Sequence, residues 1–141
     1  MHIEIRKLTP ALVEDYIHFF DTTPHNQKWN VKCYCVFWCS DDCTGKDFHT
    51  KAARRDYAAA CVRNGTIQGY MAYYDGQVVG WCNANTKSDC LTCSGWLWMN
   101  GPRKGFIPTE EATPEIRVKS VFCFAIAPKL RRQGIASALL A

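Results

Sequence analysis

The 141-residue sequence lacks a run of apolar residues long enough to span a membrane. A membrane helix needs roughly 18 or more consecutive apolar residues, and no segment approaches that length. The opening segment, MHIEIRKLTP, lacks the uncharged apolar centre and the small-residue cleavage site of a secretory signal. These absences predict a protein with no membrane partner, and they make the cytoplasm its default location.

The chain also lacks a strong excess of one charge. It contains 17 Lys and Arg residues against 13 Asp and Glu residues, a net charge of +4. A nucleic-acid-binding domain usually concentrates basic residues on one face, so this modest excess predicts no nucleic-acid partner. It is compatible with an anionic small ligand. Repeats and low-complexity segments are absent from the sequence as well, and its length fits one domain.

Cysteine, by contrast, is abundant, with nine residues. A chain without a secretory signal is not expected to build a disulfide framework, which leaves free thiols or a metal site. The candidate zinc ligands of one segment are Cys33, Cys35, Cys39, Cys43, His25 and His49. Cys90 and Cys93 add a pair at a spacing typical of zinc sites. We favour the other interpretation, in which these are buried small apolar side chains of an aromatic-rich segment, and we assign no metal site.

The spacing of apolar residues predicts two helical segments before the middle of the chain. The first begins at residues 9–10, where a capping threonine precedes a proline suited to the first helical position, and it ends before Pro24. The second covers residues 46–63. An Asn-Gly pair at 64–65 provides a plausible stop for it.

Strand patterns flank these helices. Residues 2–8 alternate apolar and polar side chains, and Asp75-Gly76 joins two further strand-like runs as a two-residue hairpin turn. The near-continuous apolar run 118–128 predicts a buried central strand. Residues 86–117 are interpreted as a long loop, with a short strand at GWLWM. The order of elements predicts an α/β fold with a mixed sheet.

The last residues, PKLRRQGIASALLA, form a turn suited to phosphate. The first N–H groups of a helix have no intrahelical acceptor, and the helix dipole adds positive potential there. Arg131 and Arg132 add two positive charges, and Gly134 lets a ligand approach the backbone closely. A pyrophosphate is the natural occupant of such a turn. The alternative is an ordinary strand–turn–helix connection with exposed arginines.

The segment FAIAPKLRRQGIASALL resembles the acetyl-CoA binding motif of the GNAT superfamily of acyl-CoA N-acyltransferases. That motif is Gln or Arg, two residues, Gly, one residue, then Gly or Ala, and it extends here from Arg131 to Ala136. The segment IEIRKLTPALVEDYIHFF is similar to the family's first strand and helix, and YYDGQVVGWCNA to its second and third strands. The resemblance implies a single GNAT domain over residues 1–141, with a mixed sheet flanked by helices.

The resemblance also implies an activity. It implies an N-acetyltransferase that transfers an acetyl group from acetyl-CoA to a primary amine by direct attack in a ternary complex. The strand 118–128 would lie along the pantetheine arm, with the backbone amide of Phe124 polarising the thioester carbonyl. The other donor-binding residues that the resemblance implies are Ala125, Ile126, Arg131, Arg132, Gln133, Gly134, Ile135 and Ala136.

The proton acceptor for this reaction is less clear from the sequence. An amine attacks only when neutral, so a group must take its proton. Some GNAT members use a glutamate at the start of this strand, where this chain has Ser120. Glu115, our predicted catalytic residue, or Glu110 or Glu111 could act through a water, and each is alternatively a solvated loop carboxylate. Residues 29–38 fall where the family shapes its acceptor pocket, although core packing explains their aromatics equally well.

Two departures from the family pattern keep other functions open. In much of the family a tyrosine on a later helix protonates the departing thiolate, and this sequence ends before that helix. We therefore expect a domain that is incomplete at its C-terminus. The missing acid and Ser120 favour the alternative of a non-catalytic acyl-CoA-binding module or regulator. A zinc-dependent interaction domain is a third hypothesis. The acceptor amine stays open, and the dimers common in the family leave a homodimer open too.

Overall fold

Strands and helices follow one another along the part of the chain that the structure describes. This computed structural model describes residues 1–24, 28, 30–42, 45–90, 93–94 and 118–141. Its helices are α1 (Val13–Thr22), α2 (Lys51–Arg63) and α3 (Ile135–Leu140), and its strands are β1 (Glu4–Lys7), β2 (Gly69–Tyr74), β3 (Gln77–Thr86) and β4 (Lys119–Ile126). The predicted α/β class is confirmed.

The four described strands form one sheet in the order β1-β2-β3-β4, and every neighbouring pair is antiparallel. Parallel pairing, which a mixed sheet requires, is therefore not found among these strands. Asp75 and Gly76 link β2 to β3 with φ angles of 52° and 74°, so the predicted hairpin turn is confirmed. The predicted strand at GWLWM lies outside the described residues.

The first helix starts and stops where the sequence indicates. Pro10–Leu12 form a 3₁₀ turn with Pro10 at its first position, and α1 continues from it to Thr22. Pro24 follows two residues later, and it cannot donate a backbone hydrogen bond to a continuing helix. The predicted helix over this segment is confirmed.

The predicted start of the second helix was wrong by five residues. The helix α2 begins at Lys51 because the side chain of Thr50 accepts a hydrogen bond from the amide of Ala53 at 3.0 Å, which caps the first turn. Phe48 lies in the preceding turn, where its ring packs against Phe37 with centroids 4.7 Å apart. Phe48, whose spacing matches the apolar face of the predicted helix, therefore belongs to a packed turn that precedes the helix.

One face of the sheet carries an aromatic core beneath α1 and α2. Trp81 of β3 is fully buried, and the ring of Tyr16 meets it edge-on with centroids 5.1 Å apart. Phe19 and Phe20 are 2% and 1% exposed and complete this contact region from α1. Hydrophobic burial on this scale supplies the main stabilisation of the described fold.

The opposite face is covered by α3. Ile135 and Leu139 pack against a smaller cluster that includes Val79 and Cys82. A side chain at Gly80 would not fit beneath them, since its Cβ would lie 2.9 Å from Ile135 Cγ2 and 3.2 Å from Leu139 Cδ1. The glycine in β3 thus lets α3 lie directly on the sheet.

The strand β4 corrects the prediction of a buried central strand. It lies at the end of the described strand order, and Val121 and Phe124 are 48% and 38% exposed. A near-continuous apolar run shows that a strand has apolar surroundings on both faces. It does not show whether a second strand pairs with each of its edges.

Candidate functional site

A cleft of about 390 Å³ lies between the end of α1, the end of β4 and the turn that leads into α3. The predicted donor-binding residues that line it are Phe124, Ala125, Ile126, Arg131, Arg132, Gly134, Ile135 and Ala136. Only Gln133 of the predicted set is missing from this lining. The structure therefore brings together, around one cleft, residues that the sequence places on a strand, a turn and a helix.

The sequence did not predict which residues form the opposite wall of the cleft. Phe20, Thr23 and Pro24 reach it from the end of α1, and Cys33 comes from the segment that follows. About a hundred positions separate this wall from β4, and no local pattern signals a contact over that distance. Leu130 and Ser137 also line the cleft. Their positions close to the Arg-Arg-Gln-Gly segment in the sequence could have predicted this.

The register of β4 determines which backbone groups face away from the sheet. The amide of Ala127 donates to the carbonyl of Val79 at 2.9 Å, so this N–H points toward β3. Amides alternate in direction along a strand, and the pairing is regular from Gly80↔Ile126 to Cys82↔Phe124. The amides of Phe124 and Ile126 therefore point away from β3, toward the outer edge of β4, with which no described strand pairs.

The turn after β4 presents further backbone donors. A 3₁₀ turn at Pro128–Leu130 is followed by left-handed conformations at Arg132 and Gly134, with φ of 60° and 82°. The first helical bond of α3 joins the amide of Ala138 to the carbonyl of Gly134 at 2.9 Å. The amides of residues 135–137 consequently have no intrahelical acceptor, and this arrangement suits an anion.

Two guanidinium groups stand beside this turn. Arg131 folds back, and its Nε donates to the carbonyl of Ile126 at 3.4 Å. This contact holds the Arg131 charge near the last residue of β4. Arg132 is exposed and also lines the cleft. The positive potential that the sequence predicts therefore lies at the cleft, although exposed charges are screened by salt over about 8–10 Å.

Neither the predicted base nor its two alternatives can be placed, because Glu115, Glu110 and Glu111 lie outside the described residues. Ser120, which occupies the position of the glutamate that some family members use, is half-buried and pairs with Asn85. The chemistry of proton removal therefore stays a prediction.

The aromatic residues predicted near the acceptor have different surroundings. Tyr34 belongs to the core, fully buried, with its hydroxyl bonded to Asp21. Phe37 is 39% exposed, and Trp29 lies outside the described residues. Trp38 stacks on Phe122 of β4 with ring centroids 4.8 Å apart. Of these side chains, Trp38 is the one whose position bears on a pocket.

That pocket is a second cavity of about 420 Å³ near the start of β4. Trp38 and Tyr57 supply its aromatic lining, and Asp41 and Asp89 supply two carboxylates. Its charge is therefore opposite in sign to that of the cleft beside Arg131 and Arg132.

The cysteines are free thiols wherever the structure describes them. All are buried except Cys123, which is half-buried. Burial raises the pKa of Cys33 to about 11, so this thiol lines the cleft in its neutral form. Within the described ranges no group of three or more His, Cys, Asp and Glu side chains could hold a metal ion. The candidate ligands His25 and Cys43 lie outside those ranges.

The sequence over residues 28–141 matches a family model described as the acetyltransferase (GNAT) family. The chain belongs to the GNAT family of acetyltransferases. The match includes β4 and the turn that lines the cleft. This GNAT chain finds no match among curated proteins. Across the residues for which the structure gives positions, no helix is both long and apolar enough to cross a membrane.

One solved structure similar to this GNAT chain is the ribosomal-protein-alanine N-acetyltransferase from Brucella melitensis biovar Abortus 2308. The two chains are 13% identical, and the TM-score is 0.49. The alignment covers 99% of this chain and 67% of the other. At this distance the likeness identifies no acceptor.

Proposed function

We propose that this GNAT chain binds acetyl-CoA in the cleft between α1 and β4 and transfers its acetyl group to a primary amine by direct attack in a ternary complex. The observation that carries the proposal is the convergence of the predicted donor-binding residues on one cleft of about 390 Å³. A cytoplasmic location and a homodimer stay predictions alongside it.

The anionic end of the donor fits the turn after β4. A pyrophosphate carries charged oxygens that accept hydrogen bonds from several backbone amides at once, and residues 135–137 present such amides. Arg132 adds a charge at the same mouth. Gly134 has φ 82°, which places its backbone in a conformation that a β-branched residue strongly resists.

The thioester end fits the outer edge of β4. In the proposed mode the outward amide of Phe124 donates to the thioester carbonyl and stabilises the oxyanion that forms when the amine attacks. Removing one preorganised donor of this kind typically costs about 2.7–4 kcal/mol of transition-state stabilisation. The apolar walls from Phe20 and Ala125 limit the access of water to the same place.

The acceptor amine is proposed to enter from the second cavity. An amine in water is mostly protonated and positively charged, and the cavity presents Asp89 and Asp41 together with two aromatic faces. Trp38 connects it to the donor strand through its stack on Phe122. Replacing Asp89 by asparagine should therefore raise the KM for a cationic amine while leaving the Kd for acetyl-CoA unchanged.

Donor binding is tested by calorimetric titration of acetyl-CoA into the wild-type chain and two variants. Arg132→Ala should weaken binding about tenfold through the lost charge-assisted hydrogen bond, and Gly134→Val should weaken it at least as much through backbone strain. Arg63→Ala is the matched control, because Arg63 is an exposed arginine at the end of α2. Equal affinities for Arg132→Ala and Arg63→Ala would contradict the proposed phosphate site.

Transfer itself is tested with acetyl-CoA and a panel of primary amines, including antibiotics, polyamines, amino acids and peptides with free N-termini. Mass spectrometry of the acetylated amine is the suitable readout, because the nine cysteines of the chain interfere with thiol reagents that detect free CoA. Donor binding without any acetylated product would favour the non-catalytic acyl-CoA-binding module.

A further inference from the structure

Two thiols from distant parts of the chain meet beside the donor strand. The Sγ of Cys35 accepts a hydrogen bond from Asn83 Nδ2 at 3.2 Å, and Asn83 is the cross-strand partner of Cys123. Cys123 also packs against the core cluster that contains Cys35, so both thiols lie beside Asn83. Cys35 is 2% exposed, whereas Cys123 is half-buried.

The turn that carries Cys35 is held in place by tertiary contacts. Tyr34 and Cys35 both have left-handed backbones, with φ of 51° and 60°, a conformation that residues other than glycine adopt only with strain. The hydroxyl of Tyr16 donates to the carbonyl of Tyr34 at 2.8 Å, and the Tyr34 hydroxyl donates to Asp21. These buried contacts hold the turn so that the Cys35 thiol meets Asn83 of β3, the cross-strand partner of Cys123 on β4.

We propose that Cys35 and Cys123 are a redox-active pair that closes to a reversible disulfide when the protein meets a hydroperoxide. The sulfur of Cys123 attacks one peroxide oxygen and forms a sulfenic acid, releasing one water. The sulfur of Cys35 then attacks the sulfenic sulfur, and the hydroxyl leaves with the Cys35 proton as a second water. The two sulfurs together lose two electrons, which reduce hydrogen peroxide to two waters.

The surroundings of Cys35 fit the second of these steps. The side-chain amide of Asn83 already donates to the Cys35 sulfur through Nδ2. This hydrogen bond stabilises the negative charge that develops on the sulfur as the proton leaves. The neighbouring Cys123 thiol and burial together hold the pKa of Cys35 well above its ordinary value, which slows this step at neutral pH. The disulfide should therefore form faster as the pH rises from about 7 to 9, because a larger fraction of the thiol is then ionised.

The position of the pair gives the modification a consequence. Cys123 directly precedes Phe124, and Cys33, two residues before Cys35, lines the cleft. A disulfide between Cys35 and Cys123 would join the segment after α1 covalently to β4. An effect on acetyl-CoA binding would rest on the proposed function, whereas formation of the disulfide does not, so the two can fail separately.

The test is disulfide mapping of the folded wild-type chain after exposure to hydrogen peroxide. Remaining thiols are alkylated, and the chain is digested with trypsin and chymotrypsin without reductant. Cleavage after Tyr34 and Phe37 separates Cys35 from its neighbouring cysteines. The expected product is a Cys35–Cys123 linked peptide in more than half of the molecules, which dithiothreitol removes.

Matched variants sharpen the result. Cys123→Ser should abolish the linked peptide, whereas Cys82→Ser should leave it unchanged, since Cys82 is buried on the α3 face of the sheet. Absence of the Cys35–Cys123 link in the wild-type chain, or linkage of Cys39 to Cys61 in its place, would overturn the proposal. The wild-type mapping needs no variant, so the proposal can be tested even if a variant does not fold.

Discussion

The two faces of the sheet differ in how completely they are covered. On the α1 and α2 face, Tyr16, Phe19, Phe20 and Trp81 are at most 2% exposed. Toward the end of β4, Phe124 is 38% exposed on the α3 face. Burying one large apolar side chain contributes about 1.5–3 kcal/mol, so the first face provides most of the stability. The second leaves the Phe124 side chain partly exposed beside the cleft.

This difference explains how one small domain combines stability with a binding cleft. A strand that is paired on both edges has no spare amides, whereas no strand among the described residues pairs with the outward amides of Phe124 and Ile126. The aromatic face holds β3 rigidly through Trp81, and β4 takes its register from β3. The packed aromatic face therefore determines, through β3, where β4 and the cleft beside it lie.

The same substitution made in both regions should give the largest contrast. Phe19→Ala removes a buried ring and should lower the free energy of unfolding by about 3–5 kcal/mol, whereas Phe124→Ala removes a partly exposed ring and should cost about 1 kcal/mol or less. Urea denaturation monitored by circular dichroism measures both. Similar losses for the two variants would mean that the faces do not differ in stability as described.

A substitution at the junction of the regions should give an intermediate effect. Gly80→Val places side-chain atoms where Ile135 and Leu139 lie, and we expect a loss of about 1–3 kcal/mol in stability together with at least tenfold weaker acetyl-CoA binding, because α3 and the turn before it must move.

The control for this variant is Gly65→Ala, which introduces backbone strain at φ 78° but meets no neighbouring atom within 4 Å. It should cost about 1 kcal/mol in stability and leave acetyl-CoA affinity unchanged. If Gly80→Val bound acetyl-CoA normally, α3 would not be responsible for the position of the turn.

The smallest expected effect concerns the pH dependence of the covered region. Burial alone would raise the pKa of Asp21, but hydrogen bonds from Arg55 and Tyr34 outweigh it and lower the pKa. A lowered folded-state pKa stabilises the fold above the ordinary pKa of about 3.9, and that contribution disappears as the pH falls through the lower folded value.

The corresponding variant is Asp21→Asn, which should lose about 1 kcal/mol or less above pH 5, since the Arg55 side chain is 44% exposed and solvent screens the pair. As the pH falls below about 4 and through the lower folded-state pKa, the stabilities of variant and wild type should converge, as thermal unfolding across pH can show. A constant difference down to the lowest pH would exclude the ion pair as its cause.

Local patterns were sufficient for much of this molecule. The hairpin at Asp75-Gly76 follows from a turn that needs two positive φ angles, and the boundaries of α1 follow from Pro10 and Pro24. The segment from Arg131 to Ala136 predicts a phosphate-binding turn, and all of it but Gln133 lines the cleft, because such a turn is built from consecutive residues. Each of these features depends on neighbours along the chain, which a sequence displays directly.

Only the tertiary structure placed the end of α1 opposite β4, put β4 at the end of the described strand order, and brought Cys35 and Cys123 to the same residue, Asn83. The start of α2 at Lys51 also depended on a packed turn around Phe48. These features arise from contacts between segments far apart in the sequence. The spacing of apolar residues in a sequence indicates which side chains are buried, but not which segment buries them. That partner is determined only when the helices and strands pack together.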